Sequence, residues 1–178
     1  SYNPIPETKE VITESYESSK DPKLKKFLSE LDQAGITNAD DRDYLVKLAG
    51  KESDYDANII NTLGYRGYYQ FGKDALLHTG FKKEDFKNPI NQHIAALKLR
   101  DLNLIALRNY IDKPIDINGQ EVIATKNILG AMAHNAGATG TKDFLNKTKF
   151  SSYGKRGYKD AYNTSVTDYA KLFTKQFI

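Results

Sequence analysis

The sequence predicts a mainly α-helical single domain that carries one small β-hairpin or loop element. Three observations predict this class. Apolar residues recur at helical spacing in most segments of the chain. Residues 53–72, rich in glycine and aromatic residues, show no helical period, and Pro114 with Asn118-Gly119 gives a turn signal between two helical patterns. A chain of 178 residues is long enough for one domain with a hydrophobic core.

The N-terminal residues differ from the rest of the chain. Residues 1–20 are polar and contain Pro4 and Pro6, so we expect an N-terminal arm or linker there. The domain itself is expected to span residues 21–178. There is no basic-then-apolar secretion signal at Ser1, which predicts a mature form or an excised domain.

The first two helices are predicted by amphipathic stripes with end signals. One runs from Pro22 to Ala34, with Asp21 as its cap and Gly35 at its end. Its apolar stripe is Leu24, Phe27, Leu28 and Leu31. The next begins after Asn38 or Asp40, and its stripe is Tyr44, Leu45, Leu48, Ala49 and then Glu52.

Five further helices and one hairpin follow the glycine-rich segment. The hairpin or turn is expected at Lys113 to Thr125. The pattern from Ile90 through Tyr110 is apolar on nearly every side, which predicts a central buried helix. The other four are a short helix at about Asp74 to His78, one from Lys126 to about Asn135, one around Lys142 to Asn146, and a final one from about Lys159 to Lys175.

Composition excludes several classes of function. No apolar run approaches the ~18 residues that span a bilayer. The net charge of +3 comes from scattered lysines, and a nucleic-acid binder would show a denser basic stripe. The absence of Cys excludes disulfides and thiolate chemistry. His78, His93 and His134 are far apart in sequence, so neither a metal site nor a cofactor is predicted.

Glu52 is the candidate catalytic residue. It continues a stripe that faces the core, and it lies in the last turn of its helix, where the helix dipole opposes a second negative charge. Desolvation and this dipole would both raise the pKa of a carboxyl group. Such an acid can protonate a glycosidic oxygen near neutral pH. The alternative is a surface Glu paired with Lys47 or Lys51.

Four segments in order resemble the soluble lytic transglycosylases, relatives of goose-type lysozyme. The likeness covers roughly residues 40 to 172 and implies a lysozyme-like domain with its β element beside a cleft. The four segments are Glu52-Ser53 at a helix end, Gly67-Tyr68-Tyr69-Gln70 in place of the family's Gly-Leu-Met-Gln, Ala133-His134-Asn135-Ala136-Gly137 in place of Ala-Tyr-Asn-Ala-Gly, and Tyr162 with Val166 on the last helix.

The resemblance implies an activity on peptidoglycan. Glu52 would be the only catalytic acid and base. It would protonate the oxygen that links N-acetylmuramic acid to N-acetylglucosamine and then deprotonate the C6 hydroxyl of the muramoyl sugar. That hydroxyl would close onto C1 and form an anhydro-muramoyl end without consuming water. The substrate's own N-acetyl group would stabilise the positive charge at C1.

The remaining motif residues receive supporting roles by the same resemblance. Ser53 would hydrogen-bond Glu52 and fix its rotamer, and Tyr162 would place its hydroxyl near that carboxyl. Gln70 and Asn135 would bind the sugar amide and hydroxyls. Gly67 would permit close backbone approach. For each residue an ordinary structural role is the alternative, such as a loop amide for Gln70.

Three residues depart from the family pattern. His134 replaces a Tyr that lies near the catalytic carboxyl, and a protonated His there would lower the pKa of Glu52. Tyr68 and Tyr69 replace aliphatic residues. They are expected to stack on sugar rings or to narrow the cleft.

Two alternative functions stay open at this point. A lysozyme that hydrolyses the same bond would need a second carboxylate about 6.5–9.5 Å from Glu52, and Asp54, Asp56 and Asp74 are the candidates. A glycan-binding module without turnover is the other alternative.

The expected partner is the glycan strand of peptidoglycan. This implies action in the periplasm or cell wall, or in an extracellular or virion-associated setting. A domain of a larger wall-penetrating assembly, from a phage or a secretion system, fits the same chemistry.

Overall fold

The computed structural model of the protein describes residues 16–146 and 166–174. The fold is mainly helical with one small antiparallel hairpin, so the fold class predicted from the sequence is confirmed. Within these ranges, none of the helices has both the length and the apolar character needed to cross a membrane. The described residues fall into two compact units that divide between residues 97 and 98. The described elements are α1 (Pro22–Gln33), α2 (Ala39–Ser53), α3 (Lys73–Thr79), α4 (Pro89–Ala106), β1 (Pro114–Ile117), β2 (Gln120–Ile123), α5 (Lys126–Leu145) and α6 (Val166–Lys171), with 3-10 helices at Lys83–Lys87 and Arg108–Tyr110.

Helix α1 begins at the predicted cap. The Asp21 carboxylate accepts a hydrogen bond from the backbone nitrogen of Lys23 at 3.0 Å. Pro22 occupies the first turn, where no backbone donor is required. The buried residues include the whole predicted stripe: Leu24, Phe27, Leu28 and Leu31. After Ala34, Gly35 turns the chain with a φ of 73°.

Helix α2 carries Glu52 near its C-terminal end. Asn38 caps it by accepting from the backbone nitrogen of Asp41 at 3.0 Å. Arg42 ties α2 to α1, since its guanidinium donates to Asp32 Oδ1 at 2.9 Å. The buried stripe is the predicted one: Tyr44, Leu45, Leu48 and Ala49. Glu52 therefore sits on a helix that is fixed at both its start and its inner face.

The predicted arm is described only at its end. Residues 1–15 lie outside the described residues. The Tyr16 hydroxyl donates to Asp43 Oδ1 at 2.7 Å, and Arg42 donates to Glu17 Oε1 at 2.9 Å. This end of the predicted arm therefore binds to α2.

The core of the first unit is a cluster of aromatic rings around Phe27. The Phe27 side chain is 0% exposed. Its ring centroid lies 5.3, 5.1, 6.4 and 4.7 Å from those of Tyr55, Tyr68, Tyr69 and His93. The rings of Tyr55, Tyr68 and Tyr69 belong to the loop after α2. The loop that was expected to line a cleft therefore also contributes side chains to the core of the first unit.

Helix α4 differs from the prediction of a central helix buried on every side. Ile94 and Ile105 are 42% and 62% exposed. The buried residues of α4 include the apolar Ala95, Ala96, Leu99 and Leu104 and also the polar Gln92, His93, Arg100 and Asn103. The apolar pattern did not predict the polar ones, because side chains such as Gln92 and His93 find hydrogen-bonding partners inside the protein.

The second unit contains the hairpin where the turn signal predicted it. Strands β1 and β2 pair in antiparallel register, with Pro114 opposite Ile123. Asn118 and Gly119 have φ angles of 52° and 84°, the combination that a type I′ turn requires. The inward-facing residues are Ile115, Ile117 and Val122. They join a core formed with α5 and α6 that includes Leu107, Ile128, Leu129, Met132, Phe144, Val166 and Ala170.

Helix α5 has two parts that meet at a kink. Thr125 caps its start by accepting from the backbone nitrogen of Ile128 at 3.3 Å. Gly137 leaves the helical conformation, with φ 73° and ψ 167°, a region that favours glycine. The kink matches the predicted stop after Asn135. Of the predicted final helix at 159–175, the described part is α6.

Candidate functional site

Glu52 lies half-buried in the last turn of α2, next to a distorted helix end. Asp54 and Tyr55 follow with φ angles of 51° and 62°. Two successive non-glycine residues in the left-handed region cost about 1–2 kcal/mol each, and such strain clusters at functional sites. The position fits a carboxyl group that is partly shielded from water.

Tyr55 closes the end of α2 behind Glu52. Its hydroxyl donates to the Val46 carbonyl oxygen at 3.0 Å. A Cβ atom on Gly50 would lie 2.9 Å from the Tyr55 hydroxyl oxygen, so this packing requires glycine at position 50. Burial, with added repulsion from Asp54, raises the pKa of Tyr55. The Gly50 of the Ala-Gly-Lys-Glu-Ser segment thus has a steric role that its sequence context did not reveal.

Ser53 hydrogen-bonds its own helix and the following loop. Its hydroxyl donates to the Ala49 carbonyl oxygen at 3.1 Å, one helical turn back. The same oxygen accepts from the backbone nitrogen of Asp56 at 3.3 Å, which fixes the start of the following loop. A hydroxyl group has one proton and two lone pairs, so Ser53 can meet Glu52 only by accepting a proton from that carboxyl group.

The Gly67–Gln70 segment forms a tight turn stabilised by the Gln70 amide. Gln70 Nε2 donates to the Gly67 carbonyl oxygen at 3.0 Å, and Gln70 Oε1 accepts from Asn61 Nδ2 at 3.1 Å. A side-chain amide offers two donors and two acceptor lone pairs. One N–H and one lone pair of Gln70 therefore remain for a ligand, and the side chain is half-buried.

Gly67 allows close packing of Gln92, a residue that the sequence did not single out. Gly67 has a φ of 77°, and a Cβ atom there would overlap the Gln92 amide. Gln92 Oε1 accepts from the backbone nitrogen of Tyr68 at 2.8 Å. Gln92 Nε2 donates to the carbonyl oxygens of Ala57 and Phe86, both at 3.0 Å. One buried amide thus connects three stretches of the first unit.

Tyr68 and Tyr69 are core residues, which corrects the prediction that they stack on sugar rings. Each is 1% exposed. The Tyr68 hydroxyl donates to Glu30 Oε1 at 2.6 Å, and the Tyr69 hydroxyl lies 2.6 Å from His93 Nδ1. The reason is that buried Glu30 and His93 satisfy the two hydroxyl groups, which lets both rings fill the core.

Glu30 and His93 complete this buried network. His93 Nε2 lies 3.2 Å from Glu30 Oε1. Burial alone would raise the pKa of Glu30, but the hydrogen bonds from His93 and Tyr68 outweigh it and hold that pKa below its ordinary value. Burial lowers the pKa of His93, although Glu30 opposes the shift. Neutral His93 then donates from Nε2 to the carboxylate and accepts from Tyr69 at Nδ1.

Acid is expected to destabilise the first unit through this network. The unfolded chain binds a proton at His93 near the ordinary pKa of 6.5, whereas the folded protein binds it only at lower pH. Glu30 likewise binds its proton in the unfolded chain near the ordinary pKa of 4.5, and in the folded protein only at lower pH. The free energy of unfolding should therefore fall as pH drops below about 6.5, and again below about 4.5. Urea titrations across this pH range measure the free energy of unfolding. A Glu30→Gln variant should lose the decrease below pH 4.5. A free energy of unfolding in the parent that does not change with pH would contradict the role of this network.

His134 and Asn135 lie on α5, in the second unit, just before its kink. The Nδ1 atom of His134 is buried, and so are both the Nδ2 and Oδ1 atoms of Asn135. The Asn135 amide has no hydrogen-bonding partner among the described residues. An amide that tied the helix end to the next turn, the ordinary structural role for Asn135, would have such a partner. A buried polar group without a partner costs about 1–3 kcal/mol, and such a group calls for an explanation.

The other predicted residues are placed as follows. Tyr162 lies outside the described residues. Asp54 is exposed and 3.9 Å from Lys23 Nζ. The Asp56 carboxylate accepts from the backbone nitrogen of Asn58 at 2.9 Å in a local turn, and Asp74 lies exposed in the first turn of α3. All three carboxylates have the turn, pair or helix-start positions that explain such residues without catalysis.

Sequence signals for the missed residues existed. Glu30 falls three residues after Phe27, on the buried face of α1, and a Glu at such a position needs partners. Gln92 and His93 interrupt the apolar pattern of α4 in the same way. Polar residues inside apolar stripes therefore indicated buried hydrogen bonds, but they did not indicate which residues form them.

Comparison of the chain with family models, with curated proteins and with solved structures found no match.

Proposed function

We propose that the protein is a peptidoglycan lytic transglycosylase in which Glu52 is the general acid and base. The observation that carries the proposal is the half-buried Glu52 in the last turn of α2, beside the strained residues Asp54 and Tyr55. A separate support, in the second unit, is the Asn135 amide, whose two buried polar atoms have no partner among the described residues. A sugar amide or hydroxyl would supply the missing hydrogen bonds.

The chemistry needs one carboxyl group that acts twice. Glu52 donates its proton to the glycosidic oxygen as the bond between that oxygen and C1 of the muramoyl sugar breaks. The carboxylate then takes the proton of the C6 hydroxyl, and the C6 oxygen bonds to C1. The enzyme recovers its proton, and the product is an anhydro-muramoyl end.

The supporting roles are narrower than the resemblance implied. Gln70 keeps one N–H and one lone pair for the substrate after its two loop hydrogen bonds. Ser53 fixes the loop after Glu52. Tyr68 and Tyr69 position the Gly67–Gln70 turn from the core side. In the first unit the substrate contacts are thus assigned to Glu52 and Gln70.

Mass analysis of cell-wall fragments tests the reaction class. Purified peptidoglycan is incubated with the protein, and the released muropeptides are weighed. An anhydro end lacks one water, so its fragment should weigh about 18 Da less than the hydrolysis product. A reducing muramoyl end would instead establish a hydrolysing lysozyme. Tight wall binding without any released fragment would establish a glycan-binding module.

The cell wall is the site of action that follows from this proposal. Periplasmic, extracellular and virion-associated settings all present the same polymer. The chemistry requires no cofactor, since the substrate carries both the nucleophilic C6 hydroxyl and the stabilising N-acetyl group.

A further inference from the structure

Arg66 differs from the other described arginines in its hydrogen bonding. The guanidinium groups of Arg42, Arg100 and Arg108 each donate to protein oxygens, on Asp32, Asn127 and Ile105 respectively among others. The Arg66 Nε atom is buried and has no hydrogen-bonding partner in the described ranges. One donor of an always-charged planar group is thus held without an acceptor.

The backbone of Arg66 is fixed, so its side chain is not simply at the tip of a loose loop. Its backbone nitrogen donates to the Phe71 carbonyl oxygen at 3.0 Å, and the Phe71 nitrogen donates back at 2.9 Å. The Arg66 backbone also bridges to Ile60. These contacts fix the point of the backbone from which the Arg66 side chain projects.

The Arg66 side chain lines a cavity of about 320 Å³ in the first unit, within the size range of small-ligand pockets. Lys83 and Lys87 add two positive charges to the lining, against one negative charge from Glu84. The rest of the lining is mainly apolar or backbone and includes Ile59, Phe86 and Gly67. Positive charge beside apolar surface suits an anion that is attached to a small aliphatic group.

We propose that this cavity binds a carboxylate of a short peptide with small apolar side chains. A guanidinium group pairs with a carboxylate through two parallel hydrogen bonds, and the apolar wall receives the neighbouring side chain. Resting on the proposed function, the peptide is the one attached to the muramoyl sugar. Gly67 lines the cavity and also begins the Gly67–Gln70 turn, so a substrate contact at that turn would bring its peptide close to Arg66.

Equilibrium binding tests the cavity without any need for cleavage. The probes are the dipeptide alanyl-glutamate, its uncharged diamide, and inorganic phosphate, each titrated into the full chain and followed by amide NMR signals. The dipeptide should saturate below about 10 mM, and the diamide should bind at least ten-fold more weakly. Equal binding of the diamide, no saturation by the dipeptide, or tighter binding of phosphate would overturn the proposal.

Matched variants locate the binding. Arg66→Gln should weaken dipeptide binding at least ten-fold, whereas Arg108→Gln, at an exposed arginine of the second unit, should leave it unchanged. Because Arg66 is half-buried, the exposed double change Lys83→Gln with Lys87→Gln is the second variant, and it should weaken binding about three- to ten-fold. Unchanged binding in a folded Arg66→Gln protein, or in the double variant, would overturn the assignment.

Cleavage assays separate this inference from the function on which it rests. On peptide-bearing wall, Arg66→Gln should raise KM with little change in kcat, and on glycan strands stripped of peptide it should have no effect. If the parent protein cleaves both substrates with the same KM, the peptide site is wrong and the proposed cleavage activity still stands. Dipeptide binding by a protein that never cleaves glycan would overturn the proposed function and leave the cavity as a peptide site.

Discussion

Replacing Glu52 with glutamine is expected to lower the rate of glycan cleavage by about 10²–10⁴-fold. Glutamine keeps the size of the side chain but can neither donate the proton to the leaving oxygen nor take one from the C6 hydroxyl. Because the proposed reaction uses the same carboxyl twice, no second group compensates. The initial rate of muropeptide release, measured at saturating substrate, reports the effect. Binding to insoluble wall should stay within about two-fold of the parent, since the amide still forms hydrogen bonds.

Asp54→Asn is the matched control for that change. Asp54 is two residues away, exposed, and in the left-handed region that Asn also tolerates, so the backbone should not change. The transglycosylase proposal predicts a rate within about two-fold of the parent, because Asp54 takes no part in the proton transfers. Loss of activity in both variants would instead indicate a pair of catalytic carboxylates and therefore hydrolysis.

Local signals predicted the parts of the fold that are determined by local chemistry. The Asp21-Pro22 start of α1 and the Asn118-Gly119 turn are each specified by a few adjacent residues, through a side-chain cap and through permitted φ angles. The predicted end of a helix near Asn135 also has a local cause, because Gly137 takes a φ of 73° and interrupts the helix there. Such features need no knowledge of which distant segments meet.

The residues that the sequence misassigned depend on distant partners. Tyr68 pairs with Glu30, and Tyr69 with His93, across 38 and 24 positions of sequence. Nothing near Tyr68 reveals that a carboxylate from α1 will accept its proton. A loop beside a candidate glycan site therefore suggested exposed rings, whereas long-range hydrogen bonds allowed burial. The proton of Ser53 is taken locally, since a carbonyl one turn back accepts it.

The buried pair also explains how two tyrosines are accommodated at positions 68 and 69. Buried tyrosine hydroxyl groups need polar partners. Glu30 and His93 provide those partners. The flanking Gly67 and Gln70 are held by their own contacts, to Gln92 and Asn61. The burial of Tyr68 and Tyr69 thus leaves the contacts of Gly67 and Gln70 in place.

Replacing His93 with alanine is expected to lower the free energy of unfolding by about 3–5 kcal/mol. The ring is 0% exposed and stacks on Tyr68 with centroids 5.0 Å apart. Its removal leaves a cavity, deprives the Tyr69 hydroxyl of its acceptor, and takes one donor from the Glu30 carboxylate. Urea unfolding, with the slope compared between parent and variant, measures the change.

His78→Ala is the matched control, because His78 is exposed in the last turn of α3 and should change the free energy of unfolding by no more than about 0.5 kcal/mol. The two histidines thus separate the buried network from any general effect of losing an imidazole. The Gly67–Gln70 turn should also exchange its amide hydrogens faster in the His93 variant, since Tyr69 loses its hydrogen bond to His93 and Tyr68 loses its stacking contact. An equal, small effect at both positions would mean that the hydrogen bonds of His93 contribute little, and that packing around Phe27 alone holds the loop against the core.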